Sequence, residues 1–68
     1  MNYNFKKLNT KVEMLNVVGM EVYEAINQLE KIGLQVEIQG ENKIVTSQFP
    51  MPKEEISVNS VVMIDTNN

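Results

Sequence analysis

The chain has 68 residues with no cysteine and no histidine, a formal charge of −3, and a composition that is 43% apolar and 22% charged. That gives room for one domain with a modest core, since a chain of this size buries only about 60% of the surface its unfolded form exposes. A disulfide scaffold, a structural zinc site and a disordered chain are all excluded by this composition, and no apolar run is long enough to span a bilayer.

Residues 1–13 are rich in Asn and Lys and follow neither a helical nor a strand period, so they read as a linker-like lead-in. Tyr3 and Phe5 are its candidates for docking back on the domain. Lys6 and Lys7 are not followed by an apolar stretch, which argues against a signal peptide. The chain is therefore either cytosolic or a piece of something exported.

The first regular element is a helix over about residues 21–32. Val22, Ala25, Ile26, Leu29 and Ile32 share one face, while Glu24, Asn27, Gln28, Glu30 and Lys31 occupy the other. Glu21 and Glu24 in the first turn and Lys31 in the last suit the helix dipole. Gly33 stands where a left-handed residue closes the helix. The period then switches to two: Leu34, Val36 and Ile38 alternate with Gln35, Glu37 and Gln39, the pattern of a strand with one buried face. Gly40-Glu41-Asn42 reads as a turn. Lys43–Gln48 follows as a second strand and hairpin partner of the first, ended by Pro50 and Pro52. A loop from Met51 to about Ser60 leads to a last strand, Val61–Asp65, and a polar tail, 66–68. The expected architecture is α+β, one α-helix packed on a small, largely antiparallel three-stranded sheet spanning residues 14–65.

Nothing here has the makings of an enzyme. Without His or Cys, no Ser–His or Cys–His arrangement can be built. Ser47, Ser57 and Ser60 fit strand edges and turns, and Glu54-Glu55 fits a solvated loop. No metal-ligand set or cofactor motif is present. A charge of −3 with six scattered lysines and no arginine argues against nucleic acid.

Several stretches in order resemble one known family. Asn16-Val17-Val18-Gly19-Met20, then Glu24-Ala25, then Leu29-Glu30-Lys31-Ile32-Gly33-Leu34 are similar to the opening of a PASTA domain, P-x-V-x-G-M-x-x-x-E-A and a helix closed by G-L. Val45-Thr46-Ser47-Gln48-Phe49-Pro50 resembles the V-x-x-Q-x-P signature, and Ser60–Ile64 the final strand. The resemblance runs from about Met14 to Asp65. Leu15 departs from it by replacing a proline. Lys53 stands where the family often has glycine, so a different turn is expected there. Val58-Asn59 replaces Pro-Gly, and Asn59 is the side chain best suited to a left-handed position other than glycine.

The resemblance implies a non-catalytic, extracytoplasmic module of a bacterial envelope protein, tethered to the membrane through its parent and making no membrane contact itself. The parent would be a penicillin-binding transpeptidase, of division or sporulation type, or a Ser/Thr kinase with tandem copies. A single copy ending just after its last strand favours the transpeptidase. The implied partners are the transpeptidase domain of the same chain, or kinase ectodomain repeats, together with peptidoglycan stem peptides or β-lactams. A spacer that binds none of these is the alternative.

Gln48, Phe49 and Pro50 are the candidate ligand rim, against a structural reading in which the Gln48 amide bonds loop backbone. Gly19, Gly33, Gly40 and Asn59 are assigned structural roles. Matching the last strand to the family turns Val62 and Ile64 toward the helix and Val61 and Met63 away from it. By the same parity Val45 points inward and Ile44 outward, so Ile44, Val61 and Met63 form a candidate contact face.

Overall fold

A computed structural model of the chain describes residues 10–67. The expected lead-in 1–13 thus lies mostly outside the described residues, with Tyr3 and Phe5 among those not described. Five strands and one helix follow in the order β1 (Lys11–Glu13), α1 (Val22–Lys31), β2 (Gln35–Gln39), β3 (Ser47–Phe49), β4 (Glu55–Ser57) and β5 (Val61–Asp65). The fold is α+β, one helix packed on sheets of mostly antiparallel strands. There are two sheets, β1-β4 and β2-β5-β3, where a single three-stranded sheet was expected.

The helix forms where the apolar period places it. Val22, Ala25 and Leu29 are buried, and Ile26 and Ile32 pack against the core from its edge. The first turn has no side-chain cap, but the Val22 N–H donates to the Lys43 carbonyl at 2.7 Å, so a neighbouring segment satisfies one of the orphan donors. At the other end Leu34 N–H donates to Leu29 O (3.1 Å) and Gly33 N–H to Glu30 O (3.0 Å), the paired bonds of a Schellman motif. Gly33 sits at φ +94 within it, and the Leu29 and Leu34 side chains meet in the core.

The expected hairpin between the first two strands does not form. β2 pairs with β5 in parallel, and β3 pairs with the other side of β5 antiparallel, so β5 is central. β5 carries the two fully buried side chains Val62 and Ile64, and its backbone is paired on both edges. Lys43–Val45 instead runs beside the helix entry. Gly19 N–H donates to Val45 O, Val45 N–H to Met20 O, and Glu21 bridges Ile44. Of the expected second strand only Ser47 and Gln48 join the sheet, in a β3 that runs on to Phe49. β2, left at an edge, buries Val36 in part and leaves Ile38 46% exposed, although the alternation assigned Ile38 to the buried face.

The second sheet was not anticipated. Residues 11–13, assigned to the lead-in, pair with residues 55–57, assigned to the loop, through Lys11↔Ser57, Val12↔Ile56 and Glu13↔Glu55. Val12 and Ile56 face the core. The pairing continues past the strands: Val58 N–H donates to Thr10 O, while Met14 exchanges 2.8 Å bonds with Lys53 and Glu54. Residues 10–21, with a turn at 18–20, therefore run as a belt bonded in order to the 53–58 segment, to Gln48 and to residues 44–45. Met14 and Val17, near the middle of that belt, are fully buried.

Two further expectations are corrected. The turn at Lys53 does not change its form: Lys53 has φ +76, and Glu54 N–H closes a four-residue turn onto Met51 O at 3.3 Å, with Pro52 at the second position. Lysine carries a left-handed backbone there because both neighbouring bonds to Met14 fix it. The polar tail also begins later than expected, since Thr66 is completely buried. Its hydroxyl donates to Gln39 O and accepts from Asn42 N–H, and its carbonyl accepts from Asn42 Nδ2. This clasp explains Gly40, at φ +88, where a Cβ would meet Thr66 Oγ1 at 2.6 Å and Asn67 Oδ1 at 2.7 Å.

Candidate functional site

Gln48 and Phe49 are neighbours with opposite fates. β3 alternates across the sheet, so Gln48, opposite Ile64, points inward, and Phe49, opposite Met63, points outward. Gln48 is 8% exposed and its amide is committed: Oε1 accepts from Val17 N–H at 2.8 Å, and Nε2 donates to Leu15 O at 2.8 Å and Pro50 O at 3.0 Å. It ties the belt to the β3 end and leaves little for a ligand. Pro50 follows a cis peptide bond and is half-buried, with its carbonyl taken by Gln48. Phe49, at 68% exposure, is the member of this trio that faces solvent.

The register places the outer face of the three-stranded sheet in rows. Gln35 lies beside Val61, Glu37 beside Met63 and Phe49, and Gln39 beside Asp65 and Ser47. Val61 is 59% exposed and Met63 half-buried. Ser47, Gln48, Phe49, Met63 and Asp65 line a shallow depression of about 90 Å³. The face is thus an apolar centre of Phe49, Met63 and Val61, bordered by the carboxylates of Glu37 and Asp65 and holding no lysine. Ile44, exposed like Val61, lies outside this sheet at the bridge to Glu21. Phe49 takes the place in the face that the sequence reading gave to Ile44. The parity that turns Gln48 inward was the signal for it.

Gly19, Gly33, Gly40 and Asn59 all have positive φ, with Asn59 at +70. Asn59 N–H donates to Gly33 O at 2.7 Å, which joins the turn before β5 to the end of the helix. A second depression, of about 370 Å³, is lined by Glu21, Val22, Tyr23, Glu41, Asn42 and Lys43. It mixes both charges with a 75% exposed Tyr23 and has no convergent buried polar group. Among the described residues, no group of three or more acidic side chains is placed to hold a metal ion, and no helix is long and apolar enough to cross a membrane.

One helix closed by a Schellman turn, a β5-centred sheet and a glutamine pinning the entry loop define a small α+β module. Residues 12–68 match the PASTA domain, and the chain belongs to that family. It is therefore a module of the kind associated with penicillin-binding proteins and Ser/Thr kinases, a class typically found outside the cytoplasmic membrane. No curated protein matches the chain significantly.

Proposed function

We propose that this module positions a penicillin-binding transpeptidase by docking its outer sheet face on another part of the same polypeptide, in the bacterial envelope. The observation that carries this reading is the exposed apolar centre Phe49, Met63 and Val61, on the side of the sheet away from the buried Val62 and Ile64. Polar side chains would serve an isolated domain better at those positions. An aromatic side chain presents about 150–250 Å², so the whole face offers on the order of 300 Å². A stable interface between free proteins needs about 800 Å² on each side. A face this small works when its partner is tethered, because a short linker supplies a millimolar effective concentration.

Recognition of wall peptides by the isolated module is the weaker reading. Stem-peptide carboxylates call for cations, yet the outer face carries Glu37 and Asp65 instead, and the Gln48 amide is occupied. An NMR titration of the labelled chain separates the two readings. Adding the catalytic domain of the parent reading frame shifts Phe49, Val61 and Met63, and substituting Val61→Thr with Met63→Thr abolishes the shifts. Localised shifts on adding purified muropeptides, with none from the catalytic domain, overturn docking in favour of wall recognition.

A further inference from the structure

β2 ends the three-stranded sheet and leaves one edge of its backbone open. Gln35 N–H donates to Ser60 O and Gln39 O accepts from Thr66 N–H, both at 2.9 Å. Backbone groups alternate sides along a strand, so Gln35, Glu37 and Gln39 direct theirs at β5. Val36 and Ile38 therefore turn their N–H and C=O groups outward, and among the described residues no further strand lies on that side. Natural proteins often guard such an edge with lysine or proline. β2 has neither: its one charge is Glu37. Val36 packs against the core, whereas the apolar side chain of Ile38 stays 46% exposed.

The occupant that fits this edge is the same edge of a second copy, run antiparallel about a two-fold axis. Outward groups must face outward groups, which leaves registers centred on Val36, Glu37 or Ile38. The first needs Leu34 N–H, which is already given to Leu29 O in the turn that closes the helix. The second sets Glu37 directly against Glu37 of the other copy, a like-charged pair across the strands. The third meets neither obstacle. It exchanges two backbone bonds between the Ile38 residues and lays their exposed side chains together. It also places each Glu37 carboxylate opposite the Gln39 amide of the other copy, which can donate to it.

We propose that two copies of this module associate through their β2 edges, centred on Ile38, as one continuous six-stranded sheet. Both Phe49/Met63/Val61 faces stay open on its outer side, so this inference stands apart from the docking reading. A five-residue edge buries far less than the roughly 800 Å² per partner of a stable interface, so the dimer is weak and half-formed at about millimolar concentration.

Sedimentation equilibrium of the full 68-residue chain, carried up to about 2 mM, should show an average mass rising toward twice that of one chain. In a mixture of isotope-labelled and unlabelled chains, a filtered NOE experiment should connect the Glu37 Hα with the Gln39 Hα of the other copy, the close pair of this register. Ile38→Lys, at an exposed position, should weaken association about tenfold or more and leave the circular dichroism spectrum unchanged. Val61→Thr with Met63→Thr, on the outer face, should leave association as it was. A mass that stays at one chain throughout overturns the proposal. So does association that Ile38→Lys leaves intact, that the outer-face substitutions abolish, or that lacks the Glu37–Gln39 contact.

Discussion

Replacing Gln48 by glutamate changes almost nothing in shape and reverses the sense of two hydrogen bonds. The wild-type amide accepts one bond from Val17 N–H and donates two, to Leu15 O and Pro50 O, at a site only 8% exposed. In Gln48→Glu the first bond survives, but at neutral pH a carboxylate oxygen faces two carbonyl oxygens at the former donor distances of 2.8 and 3.0 Å. Two lost bonds at about 1 kcal/mol each, plus at least one unsatisfied buried acceptor at about 1–3 kcal/mol, give a cost of about 3–5 kcal/mol. At about 0.05–0.15 kcal/mol per residue the whole domain has only some 3–10 kcal/mol to lose. Protonation restores one donor and reduces the cost to about 1–2 kcal/mol.

The resulting difference of about 2 kcal/mol corresponds to a rise of roughly 1.5 pH units above the ordinary glutamate value of about 4.3. Because the folded variant then holds its proton more tightly than the unfolded one, stability is greatest below about pH 4. It is lost as pH rises toward about 6, and is level above that. Urea unfolding followed by circular dichroism at several pH values measures this, with wild type and Gln48→Met as references. Gln48→Met loses all three bonds without adding a titratable group and should show a deficit from wild type that does not vary with pH. A Gln48→Glu variant as stable as wild type at pH 7.5, or one whose deficit ignores pH, would refute this account of Gln48.

The other predictions concern the turns and the second sheet. Lys53→Gly relieves a left-handed backbone that costs lysine about 1 kcal/mol. Part of the gain is offset by the freer unfolded chain, so a melting temperature a few degrees higher is expected, with no gain from Lys53→Ala. Thr66→Val keeps the shape of a fully buried side chain but removes the hydroxyl between Gln39 O and Asn42 N–H; the loss should be about 1–3 kcal/mol, with faster hydrogen exchange at Asn42. Glu55→Lys turns the like-charged cross-strand pair with Glu13 into an opposite-charged one, for a gain of about 0.5 kcal/mol in urea unfolding that shrinks as salt is added.

How legible the fold was depended on the length of each periodic signal. The helix needed only its five-residue apolar face and Gly33, whereas β5, apolar throughout Val61–Ile64, took its parity from the match to the family. β1 and β4 are three residues each, too short to show a period, and both rest on pairing with a segment more than forty positions away. The missing hairpin was a failure of locality. Turn residues at 40–42 make a reversal, but β2 finds its partner in β5, more than twenty positions further along, and not in the segment that follows the turn. Thr66 was readable, as the third inward position after Val62 and Ile64, and its polarity disguised it as tail. In the candidate site, Val61 and Met63 followed from parity along one strand. Placing Ile44 beside them assumed that residues 43–48 were a single strand, and the helix entry had already taken Lys43–Val45.

The strand order has a consequence for when this domain can fold at all. β2 and β3 are complete early in the chain, yet neither pairs with the other, and both find their partner in β5, the last element. Until Val61–Asp65 has been made, the sheet lacks its centre, Val45 and Leu34 have no Ile64 or Val62 to pack against, and Thr66 cannot clasp the 40–42 turn. Non-local pairing of this kind slows folding. A chain cut short before Val61 therefore has a helix with little to rest on, and the three-stranded sheet can form only once β5 is present.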